Sequence, residues 1–212
     1  MTTANEARPR GRRSTRPSGE DREAAILETA ERLLESRSFA DISVDDLAKG
    51  AGLSRPTFYF YFPSKEAVLL TLLDRLMLEA NSRLASLGGL ASTDRDTSVR
   101  EGINSFFATF AARPALSAAA AEVRGGSAEL RTLWSDFMRR SIAHTTEVIK
   151  AERAAGTAPE TLPAQHLATA LNLMNEAVMT SSIVGYDPAL PQDQILDTLT
   201  YIWTAAIYGE LP

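Results

Sequence analysis

The stretch 42–66, ISVDDLAKGAGLSRPTFYFYFPSKE, constrains the fold more than any other, because its local signals leave room for little except two short helices joined by a tight turn. Ser43 is an N-cap, Asp45 and Asp46 put carboxylates at the positive end of the helix, and Val44, Leu47 and Ala48 make one apolar stripe. Gly50 and Gly52 supply the permissive backbone that a reversal needs. Ser54 then caps a second helix, and Pro56 falls in its first turn, where a missing N–H costs little. The pattern predicts helix, turn, helix.

The second of these helices carries the candidate chemistry. Ser54, Arg55 and Thr57 stand at the end that a helix-turn-helix presents to the major groove, and the hydroxyls of Tyr59 and Tyr61 suit phosphate oxygens on either flank. Phe58 and Phe62 read as plugs that fix the small helical subdomain. Pro63 ends the helix and Ser64 caps the next, so Lys65 sits where an ammonium and open backbone N–H groups would both meet a phosphate. Ser43, at the start of the first helix, completes the candidate DNA contacts on this stretch.

A formal charge of −5 argues against a nucleic-acid partner until it is divided along the chain. Residues 1–75 hold 12 Lys+Arg against 12 Asp+Glu, so the excess acid lies in the remainder. Within the first 19 residues Arg8, Arg10, Arg12, Arg13 and Arg16 have no acidic residue between them, and attachment to phosphates depends on such local clusters. Rich in Arg, Pro, Ser and Gly without apolar periodicity, residues 1–20 read as a flexible basic arm, with Arg12 and Arg13 as its candidate DNA contacts. The bland reading is a tail whose charge aids solubility.

The rest of the 212 residues, 44% hydrophobic overall, is long enough to bury a sizeable core. A helix over 21–36, with Ile26, Ala30, Leu33 and Leu34 on one side, supports the helix-turn-helix, and a long helix over 65–87 connects that head to a body. Gly88 and Gly89 end it, and 91–97 reads as a loop. Ile103, Phe106, Phe107 and Phe110 then share one side of a helix ending before Pro114, and 115–121 forms a short alanine-rich helix.

Two later helices, 128–153 and 163–182, carry polar groups in line with apolar ones. On the first, Trp134, Met138, Ser141 and Thr145 follow one another at helical spacing; on the second, Asn172, Asn175, Glu176 and Met179 share a side. Such stripes are either ordinary core and solvated face or the lining of a cavity. A last helix over 191–208 has Ile195, Leu199, Ile202, Trp203 and Ile207 toward apolar contacts, and the two final helices carry more apolar surface than one seam consumes, which implies self-association. The architecture expected is all-α: an arm over 1–20, a helix-turn-helix head over 21–66, and a larger ligand-binding and dimerisation body over 67–212.

The run from Ile42 to Leu70 resembles the DNA-binding signature of TetR-family transcriptional regulators, and the likeness extends through ATALNLMNE to the terminal AAIYGE. The resemblance implies a homodimer formed by the last two helices, reading a near-palindromic double-stranded operator, repressing transcription, and released by a small hydrophobic ligand. It further implies a monooxygenase gene as the target. In the members most similar to this chain the matching helices enclose a long, largely apolar channel. The positions carried over to it are Phe106, Phe110, Trp134, Met138, Thr145, Asn172, Asn175, Glu176 and Trp203, with Ser141 and Met179 on the same stripes. Those members have bulky aromatics where this chain has Val99, Ser141 and Thr180, so the cavity here is expected to be wider or wetter.

Other classes are weaker. No cysteine occurs, which removes disulfides and thiolate chemistry and permits a reducing compartment, and the two histidines, His144 and His166, make a histidine metal site improbable. No apolar run reaches the ~20 residues of a membrane span and no signal peptide is legible, so the cytoplasm is the expected location and no membrane the expected partner. No cofactor is implied. An all-helical enzyme would need Glu176 with Asn172 and Asn175, or His144 near Thr145, as acid or base, yet no nucleophile, base and orienter occur at meaningful spacing. A helical interaction module without DNA is the other alternative.

Overall fold

The computed structural model describes residues 18–87 and 95–209, whose regular structure is all helical, with no strand among them. The expected arm residues Arg12 and Arg13, and the helix-ending Gly88 and Gly89, lie outside the described residues. The elements are α1 (Gly19–Leu34), α2 (Val44–Gly50), α3 (Arg55–Tyr61), α4 (Lys65–Ser86), α5 (Arg95–Ala111), α6 (Pro114–Arg124), α7 (Ala128–Ala154), α8 (Ala164–Val184) and α9 (Ile195–Tyr208), the last preceded by a single 3-10 turn at Gln192–Gln194.

Serine caps begin the head helices. Ser18 and Asp21 form a capping box that starts α1 inside the expected arm, at Gly19, while Ser43, Ser54 and Ser64 each accept from a backbone N–H in the first turn of α2, α3 and α4. The two turn glycines are needed for different reasons. Gly52 has φ +68°, the left-handed region, whereas Gly50 is helical and lies so close to α1 that a Cβ would fall 2.3 Å from Thr29 Cγ2. Arg95 already belongs to α5, so the loop expected over 91–97 ends sooner, and the last helix starts later than expected because one 3-10 turn intervenes after Pro191.

Two hydrophobic clusters organise the molecule. The first gathers Ile26 and Leu27 of α1, Leu47 of α2, Phe58 of α3 and Val68 to Leu76 of α4, and it does not stop at residue 66: Leu116, Ala119 and Ala120 of α6 and Leu130 of α7 belong to it. The second joins Ile103 of α5, Ile149 of α7, Leu171 of α8 and Ile195, Leu199 and Ile207 of α9. Packing follows that division, with α7 along α8, α5 along α9, and α6 reaching both α1 and α8.

Phe58 is fully buried, and its neighbour two places on, Phe60, is 82% exposed. Phe58→Ala should therefore cost about 3–5 kcal/mol of stability in urea unfolding, and Phe60→Ala within about 0.5 kcal/mol. Equal losses for the two would contradict this packing.

Candidate nucleic-acid interface and ligand cavity

On α3 the buried and exposed residues separate cleanly. Phe58 and the C-cap Phe62 are buried in the first cluster, Thr57 and Tyr61 are half-buried, and Arg55, Pro56, Tyr59 and Phe60 form one exposed face. Arg55 is held from two sides: Nη1 donates to Asp45 Oδ2 at 3.4 Å, and Nη2 donates to the Tyr59 hydroxyl at 3.2 Å, with the guanidinium 5.7 Å from the ring centroid. The Tyr59 hydroxyl accepts in this contact and keeps its own proton for an outside oxygen. Of the residues read as DNA contacts, Arg55 and Tyr59 thus stand together and outward.

The others have local partners. Ser54 Oγ lies 2.8 Å from Thr57 Oγ1, so both hydroxyls serve the cap. Ser43 Oγ donates to Asp46 Oδ2 at 2.6 Å. Tyr61 turns its hydroxyl toward the start of α1, 3.9 Å from where a Cβ on Gly19 would be. Lys65 departs most from the expectation of an ammonium waiting for phosphate. Its Nζ donates to the carbonyls of Phe39, Ala40 and Ile42 at 2.9, 3.1 and 2.8 Å, so all three of its protons are used to close the α1–α2 connection. Phe60 was missed, and the signal that could have found it is the 3.6-residue period itself, which sets 60 on the face of 55, 56 and 59.

The body holds two adjoining, partly open chambers, the first between α5, α6, α7 and α8 and the second between α4, α5, α7, α8 and α9, with cavity volumes of about 80 and 110 Å³, several times what one water needs. Phe106, Ser141, Asn172 and Asn175 line both. Phe110, Trp134, Met138, Glu176 and Met179 line the first, and Thr145 and Trp203 the second, so the two stripes read from the sequence face these adjoining chambers. Thr180 is on the wall of the first chamber and Val99 on the wall of the second. Sequence reasoning missed Arg124, which pairs with Glu176 at 2.5 Å and lies 4.9 Å from the Trp134 ring centroid.

The polar groups of this wall are arranged by one another. Asn172 Nδ2 donates to Thr145 Oγ1 at 3.1 Å and to the Ala168 carbonyl at 2.9 Å, leaving its Oδ1 as an acceptor. Asn175 Oδ1 accepts from Trp203 Nε1 at 2.8 Å, leaving its Nδ2 as a donor. Trp134 Nε1 in the first chamber and Ser98 Oγ in the second are buried without a protein partner. Among the described residues no group of His, Asp and Glu is placed to hold a metal ion, and no helix is long and apolar enough to cross a membrane.

Helix α6 belongs to both sites. Leu116, Ala119 and Ala120 pack in the head cluster, while Ser117, Ala120, Ala121 and Arg124 line the first chamber. Just before it, Arg113 bridges Glu31 of α1 at 3.6 Å and Glu79 of α4 at 2.9 Å. Burial would raise the Glu79 carboxyl, but the hydrogen bonds from Arg113 and Arg83 outweigh it and hold it below its usual range.

A capped helix-turn-helix head joined to a hollow helical body defines a DNA-binding transcriptional regulator. Residues 26–72 match the bacterial regulatory proteins of the tetR family, and residues 99–209 match the C-terminal domain of the transcriptional regulator EthR. The HTH-type transcriptional regulator EthR of Mycobacterium tuberculosis is 60% identical over 203 residues, covering 95% of this chain and 94% of that protein. EthR of Mycolicibacterium smegmatis is 53% identical over 213 residues, covering 100% and 98%. A TetR transcription regulator from Haloarcula marismortui, 17% identical, superposes with a TM-score of 0.73 over 91% of this chain and 100% of that one, a likeness of fold. The chain belongs to the TetR family of bacterial transcriptional regulators and carries the EthR-type C-terminal domain.

The head also has a titratable reporter. Asp46 is held well below the usual carboxylate range, first by the Ser43 hydroxyl, then by the Ser43 N–H and Arg37. A carboxyl lowered in the folded state stabilises above its unfolded value of about 3.9, and that contribution is lost as the pH falls below it. In Ser43→Ala the Asp46 midpoint, followed by side-chain NMR, should move up toward the ordinary value. An unmoved midpoint would contradict the assignment.

Proposed function

We propose that the protein is a ligand-responsive repressor, a homodimer whose two α3 helices read a near-palindromic operator and which a small hydrophobic ligand in the body releases. The observation that carries this reading is the double membership of Ala120, packed in the head cluster and lining the first chamber. Filling the chamber displaces α6, and α6 is what α1 and α4 rest on. A ligand releases the operator only to the extent that it binds one head geometry better than the other, and the operator weakens ligand binding by the same factor.

The wall chemistry supports a neutral, mainly apolar ligand with a hydrogen-bonding group near its middle. Asn172 Oδ1 and Asn175 Nδ2 together present one acceptor and one donor, the pair that an amide completes. The exposed apolar residues Leu173 of α8 and Tyr201 of α9, 49% and 47% accessible, support a dimer seam on the last two helices. The arm residues Arg12 and Arg13 and the α3 residues Arg55 and Tyr59 are the proposed operator contacts, Thr57 and Ser54 acting beside them. A monooxygenase gene is the proposed target, and the cytoplasm the proposed location.

Operator affinity measured with and without a hydrophobic amide that raises the melting temperature tests the mechanism. Saturation should weaken binding about tenfold or more, equivalent to about 1.4 kcal/mol of coupling. Unchanged affinity at saturation defeats the induction half. Tyr59→Phe, which removes only a hydroxyl, should weaken operator retention about tenfold with helicity unchanged, whereas indifference favours a helical module that does not read DNA.

A further inference from the structure

Of the five consecutive aromatics from Phe58 to Phe62, Phe60 alone is turned almost wholly to solvent, at 82% exposure. Among the described residues its one ring contact is with Tyr61, edge-on at 5.1 Å. Leaving a phenyl ring in water forgoes the burial that its neighbours Phe58 and Phe62 achieve. Its place on the helix is specific. Arg55, Pro56, Tyr59 and Phe60 share the exposed face of α3, so the ring continues the surface on which Arg55 and Tyr59 stand.

We infer that Phe60 reads a thymine in each operator half-site through the C5-methyl group. This rests on the proposal that α3 enters the major groove. A phenyl ring has no atom that hydrogen-bonds a phosphate or a base edge, so it adds nothing to backbone attachment by charge or donor. The one apolar group that B-form base pairs present in the major groove is the thymine methyl. Tyr61, itself half-buried against the head cluster, meets the ring edge-on from one side and leaves its outer face free for a methyl group. Pro56, exposed on the same face, enlarges the apolar surface that the methyl meets.

The test removes the methyl from the DNA and the ring from the protein in turn. A duplex selected from random sequence by the full-length protein is remade with each thymine replaced singly by deoxyuridine, which deletes only the methyl. The wild type should lose about fivefold in affinity at one symmetry-related pair of positions. Phe60→Ala should bind the parent duplex about fivefold more weakly and be indifferent to deoxyuridine at that pair, while Phe60→Leu should keep most of the dependence.

Wild-type indifference to every replacement overturns the inference and leaves DNA binding intact, as does an additive loss in Phe60→Ala. A Phe60→Ala change in oligomeric state with the methyl dependence preserved also overturns it, since the ring then serves a protein contact. Failure of the wild type to retain any duplex overturns the proposed function itself, and this inference with it.

Discussion

The structure depends on a seam. Helix α6 lies with Leu116, Ala119 and Ala120 in the core of the head and with Arg124 on the wall of the first chamber, so neither site has a core of its own on that side. Close-packed interiors move between packings as units rather than deforming continuously, and the proposed coupling works through a displacement of that helix. Alanine at 119 and 120 is what lets α6 approach its neighbours, and the Arg113 bridge to Glu31 and Glu79 ties its N-terminal end to α1 and α4. The bridge is partly exposed, so its worth is in alignment more than in energy.

On the two sides of the seam the chain places different kinds of residue. The head is built from serine-capped helices around an aliphatic core plugged by Phe39, Phe58 and Phe62, and its outward face carries Arg55, Tyr59 and Phe60. The body keeps polar side chains inside, some satisfied against each other, as Asn172 with Thr145 and Asn175 with Trp203, and others by carbonyls of their own helix, as Thr109, Ser141 and Thr146. Polar groups buried in a cavity cost stability unless partnered, and two of them, on Trp134 and Ser98, have no protein partner. That lining supports the proposed ligand cavity.

Much of this was legible in the amino-acid sequence, and the failures have physical reasons. The caps at Ser43, Ser54 and Ser64 are local interactions, so local reading found them. The lining positions were legible because helical period fixes which residues share a side, and Trp134, Met138, Ser141 and Thr145 do. What period cannot supply is the partner across the gap. Lys65 looked like a phosphate ligand by its place at a helix start, but three carbonyls of the α1–α2 connection, more than twenty residues back, take its protons. Phe60 stayed unassigned beside the plugs Phe58 and Phe62, although its register puts it outside.

The most direct test of a head whose geometry is set by the body uses the absence of cysteine from the chain. A single Glu66→Cys at the exposed start of α4, spin-labelled, gives one distance between the two heads of a dimer. With a hydrophobic amide saturating the cavity, that distance should shift by several ångströms and lose the operator-bound value. An identical distance distribution with and without the occupant, at saturation proved by calorimetry, would contradict the account.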